Sequence, residues 1–126
     1  MNASPSRIVA LVLGAAFVLL GALSFIATAG MPFTDPNGIW LLDVLAVNPA
    51  QNTLHLVVGA ALLGIAFTRV APVADSLVGA LLVGVGIHGL LTAATPLNIF
   101  AANGAANLLH FAAAAVLLAV GLGARR

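Results

Sequence analysis

The sequence predicts an all-α fold, a four-helix transmembrane bundle made of two tandem helical hairpins. The first observation is composition: 63% of the 126 residues are apolar and 6% are charged, whereas about a quarter of residues are charged in soluble domains. The second is a series of long uncharged runs separated by turns rich in Pro and Gly. The third is a polar pattern that occurs twice in those runs. Together they predict one integral membrane domain over residues 1–126, with the lipid bilayer as its main partner.

Composition also excludes several classes of function. The chain has no Cys and no Tyr, and it contains no Lys, so thiolate metal sites and several common nucleophiles and acid–base groups are absent. The net charge is only +1 and the four Arg are spread along the chain, which excludes a basic nucleic-acid-binding face. Enzymatic activity is therefore not favoured, although the sequence does not decide the question.

The first helix is predicted over about residues 8–30. The run from Ile8 to Gly30 has no charged residue, and at about 1.5 Å per residue it is long enough to cross a hydrocarbon core about 30 Å thick. A cleaved signal peptide is the alternative, because Arg7 precedes the run and Ala27-Thr28-Ala29 is typical of a cleavage site. The run exceeds the usual apolar region of about 7 to 15 residues, which favours a retained helix.

The chain then leaves the membrane. Three turn dipeptides lie between residues 31 and 38, and the apolar segment 37–47 around Trp40 is interrupted by Asp43. This pattern predicts a short interfacial helix with its indole at the level of the lipid headgroups.

The remaining helices are predicted over about residues 49–69, 75–94 and 103–123. Asn48 and Asn103 are good N-caps for the second and fourth of the four helices, and Pro49 suits a first helical position. Asp75 is expected at the positive end of the third helix dipole. Since every Arg falls at the same end of four crossings, the positive-inside rule predicts cytoplasmic N- and C-termini.

The polar pattern is the strongest local signal in the chain. Asn48, Asn52 and His55 are spaced four and three residues apart, so they lie along one face of a helix. The matching positions 55 residues later hold Asn103, Asn107 and His110. A pattern repeated in register predicts a duplicated unit, with the two hairpins related by a pseudo-two-fold axis along the membrane normal.

The histidines are the candidate functional residues. His55 and His110 each lie seven residues inside their Asn caps, so they are predicted at the same depth and facing each other. His88, seven residues before Thr95 on the antiparallel third helix, is predicted at that depth as well. Ionisable groups inside membrane helices usually face the bundle interior.

Three functions remain open on this pattern, of which the first is a cofactor site. His55 and His110 resemble a pair of axial haem ligands, and His88 would add a third imidazole for Zn or Cu. Asn52 and Asn107, one turn before each paired histidine, would then orient the rings by hydrogen bonding.

The second function is a proton or small-solute conduit lined by histidines that titrate near neutral pH. Beyond Gly59 and Ala114 both polar faces become apolar, which leaves such a conduit without a relay across the cytoplasmic half. The third function is an accessory or structural bundle held by interhelical Asn and His contacts, the ordinary use of such residues. It would act with a membrane-protein partner or as a homo-oligomer, and the sequence favours it.

The stretch Val47-Asn48-Pro49, followed by Asn52-Thr53-Leu54-His55 and by a second motif from Asn107 to His110, resembles a family of small four-helix actinobacterial membrane proteins. That family is known only as a domain of unknown function. The resemblance covers nearly the whole chain and implies the same fold and a plasma-membrane location, with no activity to carry over. His88 is not part of the resemblance, which favours the paired site over the three-histidine site.

Overall fold

A computed structural model describes residues 4–124. The elements are the helices α1 (Pro5–Ala27), α2 (Pro49–Ile65), α3 (Ala71–Thr92) and α4 (Gly104–Gly123), with two short strands, β1 (Ile39–Leu41) and β2 (Leu45–Val47). The all-α, four-helix prediction is confirmed, and the strands are a small addition to it. In the described chain, α1, α3 and α4 are long and apolar enough to cross a membrane. Helix α2 has 17 residues, a length of about 26 Å.

Helices α1, α2 and α4 begin where a side chain caps the first turn, and α3 begins without such a cap. The side chains of Asn48 and Asn103 accept hydrogen bonds from backbone amides in the first turns of α2 and α4, as predicted. Helix α1 begins at Pro5, earlier than expected, because the Ser4 hydroxyl accepts a bond from a first-turn amide. Helix α3 begins at Ala71, and its second residue is a proline. Proline is tolerated there because a backbone N–H in the first turn has no partner within the helix.

The predicted interfacial helix is wrong. Strands β1 and β2 instead form an antiparallel hairpin that pairs Ile39 with Val47 and Leu41 with Leu45. Turns on both sides limit the segment to a length at which an isolated helix is marginal, whereas strand pairing satisfies its backbone groups. Strand β2 also packs against α4, and Val47 is completely buried.

The bundle has two ends. The loop end carries residues 28–48 and 93–103, and the terminal end carries residue 4, the α2–α3 turn and residue 124. Helix α1 packs mainly against α2, and α3 mainly against α4. Glycines permit this close packing: a Cβ on Gly59 would lie 2.7 Å from the carbonyl oxygen of Gly14. The corresponding contact in the second hairpin is Gly79 against Ala114, where a Cβ on Gly79 would lie 3.2 Å from the Ala114 carbonyl oxygen.

The duplication extends to all four helices. Six buried positions of α1 recur in α3 at a spacing of 65 residues: Ser6, Ala10, Gly14, Phe17, Gly21 and Ser24 in α1, and Ala71, Asp75, Gly79, Leu82, Gly86 and Gly89 in α3. In α2 and α4 the spacing is 55 residues, as between His55 and His110. The first loop is therefore about ten residues longer than the second, and the β-hairpin occupies this additional length.

The centre of the bundle is an apolar layer built from two pairs of repeat-related residues. Phe17 corresponds to Leu82 and Leu62 corresponds to Leu117, and all four are at most 2% exposed. This apolar layer lies where the four helices meet. It separates polar contacts near the loop end from polar contacts near the terminal end.

Candidate functional site

The structure brings His55 of α2 and His110 of α4 into direct contact. Their Nε2 atoms are 3.1 Å apart, and their ring centroids are 5.4 Å apart with an interplanar angle of 60°. Both side chains are fully buried. The two rings therefore share a depth and face each other across the repeat axis, and their contact joins the two hairpins.

The hydrogen bond between the two rings requires them to be in different tautomeric forms. A hydrogen bond between two Nε2 atoms of neutral rings needs one ring protonated at Nε2 and the other at Nδ1. Neither Nδ1 has a hydrogen-bond partner among residues 4–124. One ring therefore keeps an unpaired N–H and the other an unpaired lone pair, and exchanging these roles between His55 and His110 gives two nearly equivalent arrangements.

Apolar packing isolates the pair from the terminal end. The Phe17 ring lies 5.2 Å from the His55 ring, centroid to centroid. Two turns along their own helices, Leu62 and Leu117 follow the histidines and are completely buried. Protons on the imidazoles therefore have no side-chain relay through this layer.

The two asparagines one turn before the histidines do not hydrogen-bond the rings. Asn52 Nδ2 donates to Thr28 Oγ1 at 2.9 Å, and Thr28 in turn donates to the Ser24 carbonyl at 3.0 Å. Asn107 packs against α3, where a Cβ on Gly89 would collide with its Oδ1. The predicted ring-orienting role is not formed. Instead, each asparagine contacts the other helix of its own hairpin.

His88 does not join the pair, so the three-histidine metal site is not assembled. Its ring packs edge-on against Phe100, with centroids 5.7 Å apart, and its side chain is only partly buried. The physical reason is rotational: position 88 lies outside the repeated buried positions of α3, and its counterpart Leu23 is exposed. Within residues 4–124, no three His, Asp, Glu or Cys side chains are grouped to hold a metal ion.

The pair as packed does not accommodate a haem. Two axial imidazoles on one metal hold their Nε2 atoms about 4 Å apart, because each metal–nitrogen bond is about 2 Å long. The observed separation is 3.1 Å. A macrocycle between His55 and His110 would require the hairpins to separate.

The cap residues have a further role that sequence reasoning missed. Asn48 Nδ2 donates to the carbonyls of Asp35 and Ile99, both at 2.9 Å, so one side chain ties the two loops together. Asn103 Nδ2 donates to the Val44 carbonyl at 2.8 Å, which fastens the β-hairpin to α4. The bridging partners lie far away in sequence, so helix spacing alone gives no signal for them.

The family model for a domain of unknown function (DUF4383) matches residues 7–123. The chain belongs to the DUF4383 family. No curated protein and no solved structure matches it. The matched residues cover nearly the whole helical bundle. The family has no assigned activity, so the function has to be inferred from the geometry of the chain.

One buried polar contact in this DUF4383 chain was not anticipated. The Ser6 hydroxyl of α1 donates to Asp75 Oδ2 of α3, and both side chains are almost completely inaccessible. Sequence reasoning placed Asp75 at the start of the third helix, one turn too close to the surface. The available signal was Pro72, which is compatible with a first helical turn.

Proposed function

We propose that this protein is an integral membrane bundle with an accessory or structural role, in which buried polar contacts fix how its two hairpins associate. The supporting observation is the contact between His55 and His110. Packing is extensive within each hairpin and sparser between hairpins. Polar contacts between hairpins therefore have a large influence on their relative register.

The physics of membranes favours this role. Lipid tails are as apolar as leucine, so burying leucine between helices gives little driving force for association, whereas interhelical hydrogen bonds contribute on the order of 0.6 to 2 kcal/mol. Any sliding of one hairpin against the other would leave two imidazoles unpaired in an apolar interior. The histidine pair therefore disfavours alternative registers as well as stabilising the native one.

A membrane topology accompanies the proposal: four crossings of the plasma membrane with cytoplasmic termini. Arg7 and Arg69 lie at the terminal end, where Arg7 Nε donates to the Ala66 carbonyl at 3.1 Å. The chain contains no Cys, so single cysteines at exposed Asp43 and Arg69 report on the two sides. An impermeant maleimide should label Asp43→Cys in intact cells and Arg69→Cys only after permeabilisation. The opposite pattern would invert the topology.

Metal binding at the same pair is the second candidate. Two imidazoles on one tetrahedral metal have nitrogens about 3.3 Å apart, given bonds of about 2 Å, and the observed 3.1 Å is close to this value. The Oδ1 atoms of Asn52 and Asn107 are buried and have no partner within the described chain, but Asn107 Oδ1 faces Gly89 of α3, so the histidines are the ligands that the geometry supports. Haem is disfavoured by the same separation.

Purification in detergent, followed by metal analysis and a visible spectrum, separates the two candidates. The structural proposal predicts a colourless, metal-free protein in which His55→Ala and His110→Ala merely lower the stability. Stoichiometric metal or a Soret band that both substitutions abolish would establish a cofactor site instead. A conduit predicts proton uptake into liposomes that His55→Ala abolishes, and the apolar layer leads us to expect none.

A further inference from the structure

Asp75 is a carboxyl group buried inside the bundle. Its helix, α3, is one of the candidate membrane spans, and its side chain is completely buried. Oδ2 accepts a hydrogen bond from Ser6, and Oδ1 has no partner among the residues that the structure describes. Ionisable groups in such positions are rare, expensive to bury and usually functional.

The repeat shows that packing does not require a carboxyl group here. Asp75 corresponds to Ala10 of α1, and both are completely buried. Ser6 corresponds to Ala71, which is also buried. The symmetry-related contact would therefore join two alanines. The fold accommodates a methyl group at this position, so the Ser6–Asp75 contact is an addition to the duplicated framework.

Among residues 4–124, two arginines are the charged side chains on the elements near Asp75 at the terminal end. Arg7 of α1 donates through Nε to a carbonyl at the start of the α2–α3 turn and lies over an aromatic ring of that turn. Arg69 is exposed in the same turn. The titratable groups of α2 and α4 are His55 and His110, which bond each other beyond the apolar layer. A hydroxyl is thus the one hydrogen-bond partner described for the carboxyl of Asp75, and an apolar interior accommodates an unpaired carboxyl as the neutral acid.

A cleft leads toward this contact from the terminal end. It has a volume of about 300 Å³ and lies between the first turn of α1 and the last turns of α4. Ser4 and Ser6 line one side, and Val120 and Gly123 line the other. Ser6 lines the cleft although it is only 1% exposed, and its hydroxyl contacts the carboxyl. Ser6 is therefore the side chain that separates Asp75 from the cleft.

We propose that Asp75 is a proton-binding site that exchanges its proton with the terminal side of the membrane through Ser6. The apolar layer closes the opposite direction, so exchange takes place from one side. The proposal is independent of the structural role assigned to the histidines. Its ligand class is the proton, held on a carboxylic acid in an apolar setting.

Reaction with a hydrophobic carbodiimide in reconstituted bilayers tests the proposal. A protonated carboxyl adds its O–H across one C=N bond, and acyl transfer to nitrogen gives a stable N-acylurea, so the protein gains one reagent mass and nothing leaves. Peptide mapping should find this label on Asp75, decreasing as the pH is raised from mildly acidic to alkaline. Asp43, which is exposed, should react instead with a water-soluble carbodiimide and serves as the internal reference.

Two variants complete the test. Asp75→Asn keeps a hydrogen-bond acceptor for Ser6 and should lose the label. Ser6→Ala should move the fall in labelling to higher pH, because the hydroxyl that stabilises the charged carboxylate is lost. If Asp75→Asn fails to fold, the pH profile at Asp75 of the unmodified chain decides the question. The proposal is overturned if Asp75 stays unlabelled at every pH while Asp43 reacts, if its labelling is independent of pH, or if Ser6→Ala leaves the pH profile unchanged.

Discussion

Replacing the paired histidines one at a time and together should reveal a large energetic coupling. In His55→Leu or His110→Leu, the remaining ring keeps a buried Nε2 with no partner, because the two Nε2 atoms at 3.1 Å bond each other. A buried polar group left unsatisfied costs about 1–3 kcal/mol. In the double variant no imidazole remains, and two leucines fill a similar volume in an apolar setting.

The double variant should therefore lose much less stability than the sum of the single variants. We expect a coupling of about 0.6 to 1.7 kcal/mol, the range found for polar pairs between membrane helices. The measurement is unfolding in mixed micelles with increasing denaturing detergent, followed by circular dichroism. His88→Leu provides the matched control: its ring packs against Phe100 and not against the pair, so combining it with His55→Leu should be additive within about 0.5 kcal/mol.

Equal additivity in both cycles would refute the reasoning. It would mean that the contact between His55 and His110 contributes no more than two independent side chains. The hairpins would then be held in register by apolar and glycine packing alone.

Three other predictions concern the glycine contacts and the β-hairpin. Gly59→Ala should destabilise the bundle because its Cβ would lie 2.7 Å from backbone atoms of α1. At Gly64 an added Cβ meets nothing within 4 Å, so Gly64→Ala should stabilise the bundle by about 0.5–1 kcal/mol. Equal effects of the two substitutions in thermal melts would contradict this prediction. Leu42 and Asp43 have φ values of 51° and 56°, a left-handed turn conformation that Asn and Gly adopt with less strain. Replacing Leu42 with Asn and Asp43 with Gly should therefore slow amide exchange in the hairpin. Faster exchange would contradict a left-handed turn at these residues. Trp40 is the one tryptophan and is 57% exposed. An indole at the level of the lipid headgroups should be quenched more by brominated lipid than by aqueous iodide. Stronger quenching by iodide would place Trp40 in water.

Sequence periodicity predicted the features that depend on local spacing. Asn48 and Asn103 cap their helices because a cap depends only on the first turn of its own helix. His55 and His110 each lie on the same helix face as the asparagine one turn before them, because a helix repeats about every 3.6 residues. Their contact also followed from the duplication, since equivalent residues of two packed repeats meet near the symmetry axis. The fold class was predictable because long uncharged runs have few alternatives in a membrane.

The features that sequence missed depend on contacts distant in the chain. The segment around Trp40 is too short for its period to distinguish a helix from a strand, and its strand β2 is buried against α4, more than 50 residues later. Asp75 was misplaced because Pro72 was assigned to a turn rather than to the first turn of α3. His88 was expected beside the pair because depth was predicted, whereas rotation about the helix axis decides which side chains meet.

The contact at the repeat axis can be measured directly by solid-state NMR on the protein in bilayers, with ¹⁵N-labelled histidine. Because the Nε2 atoms of His55 and His110 are 3.1 Å apart, we expect a ¹⁵N–¹⁵N correlation between these two rings that disappears in His110→Leu. His88 should give no correlation with either ring. A spectrum in which His55 and His110 show no mutual correlation, while each resonance is resolved and assigned, would contradict the account.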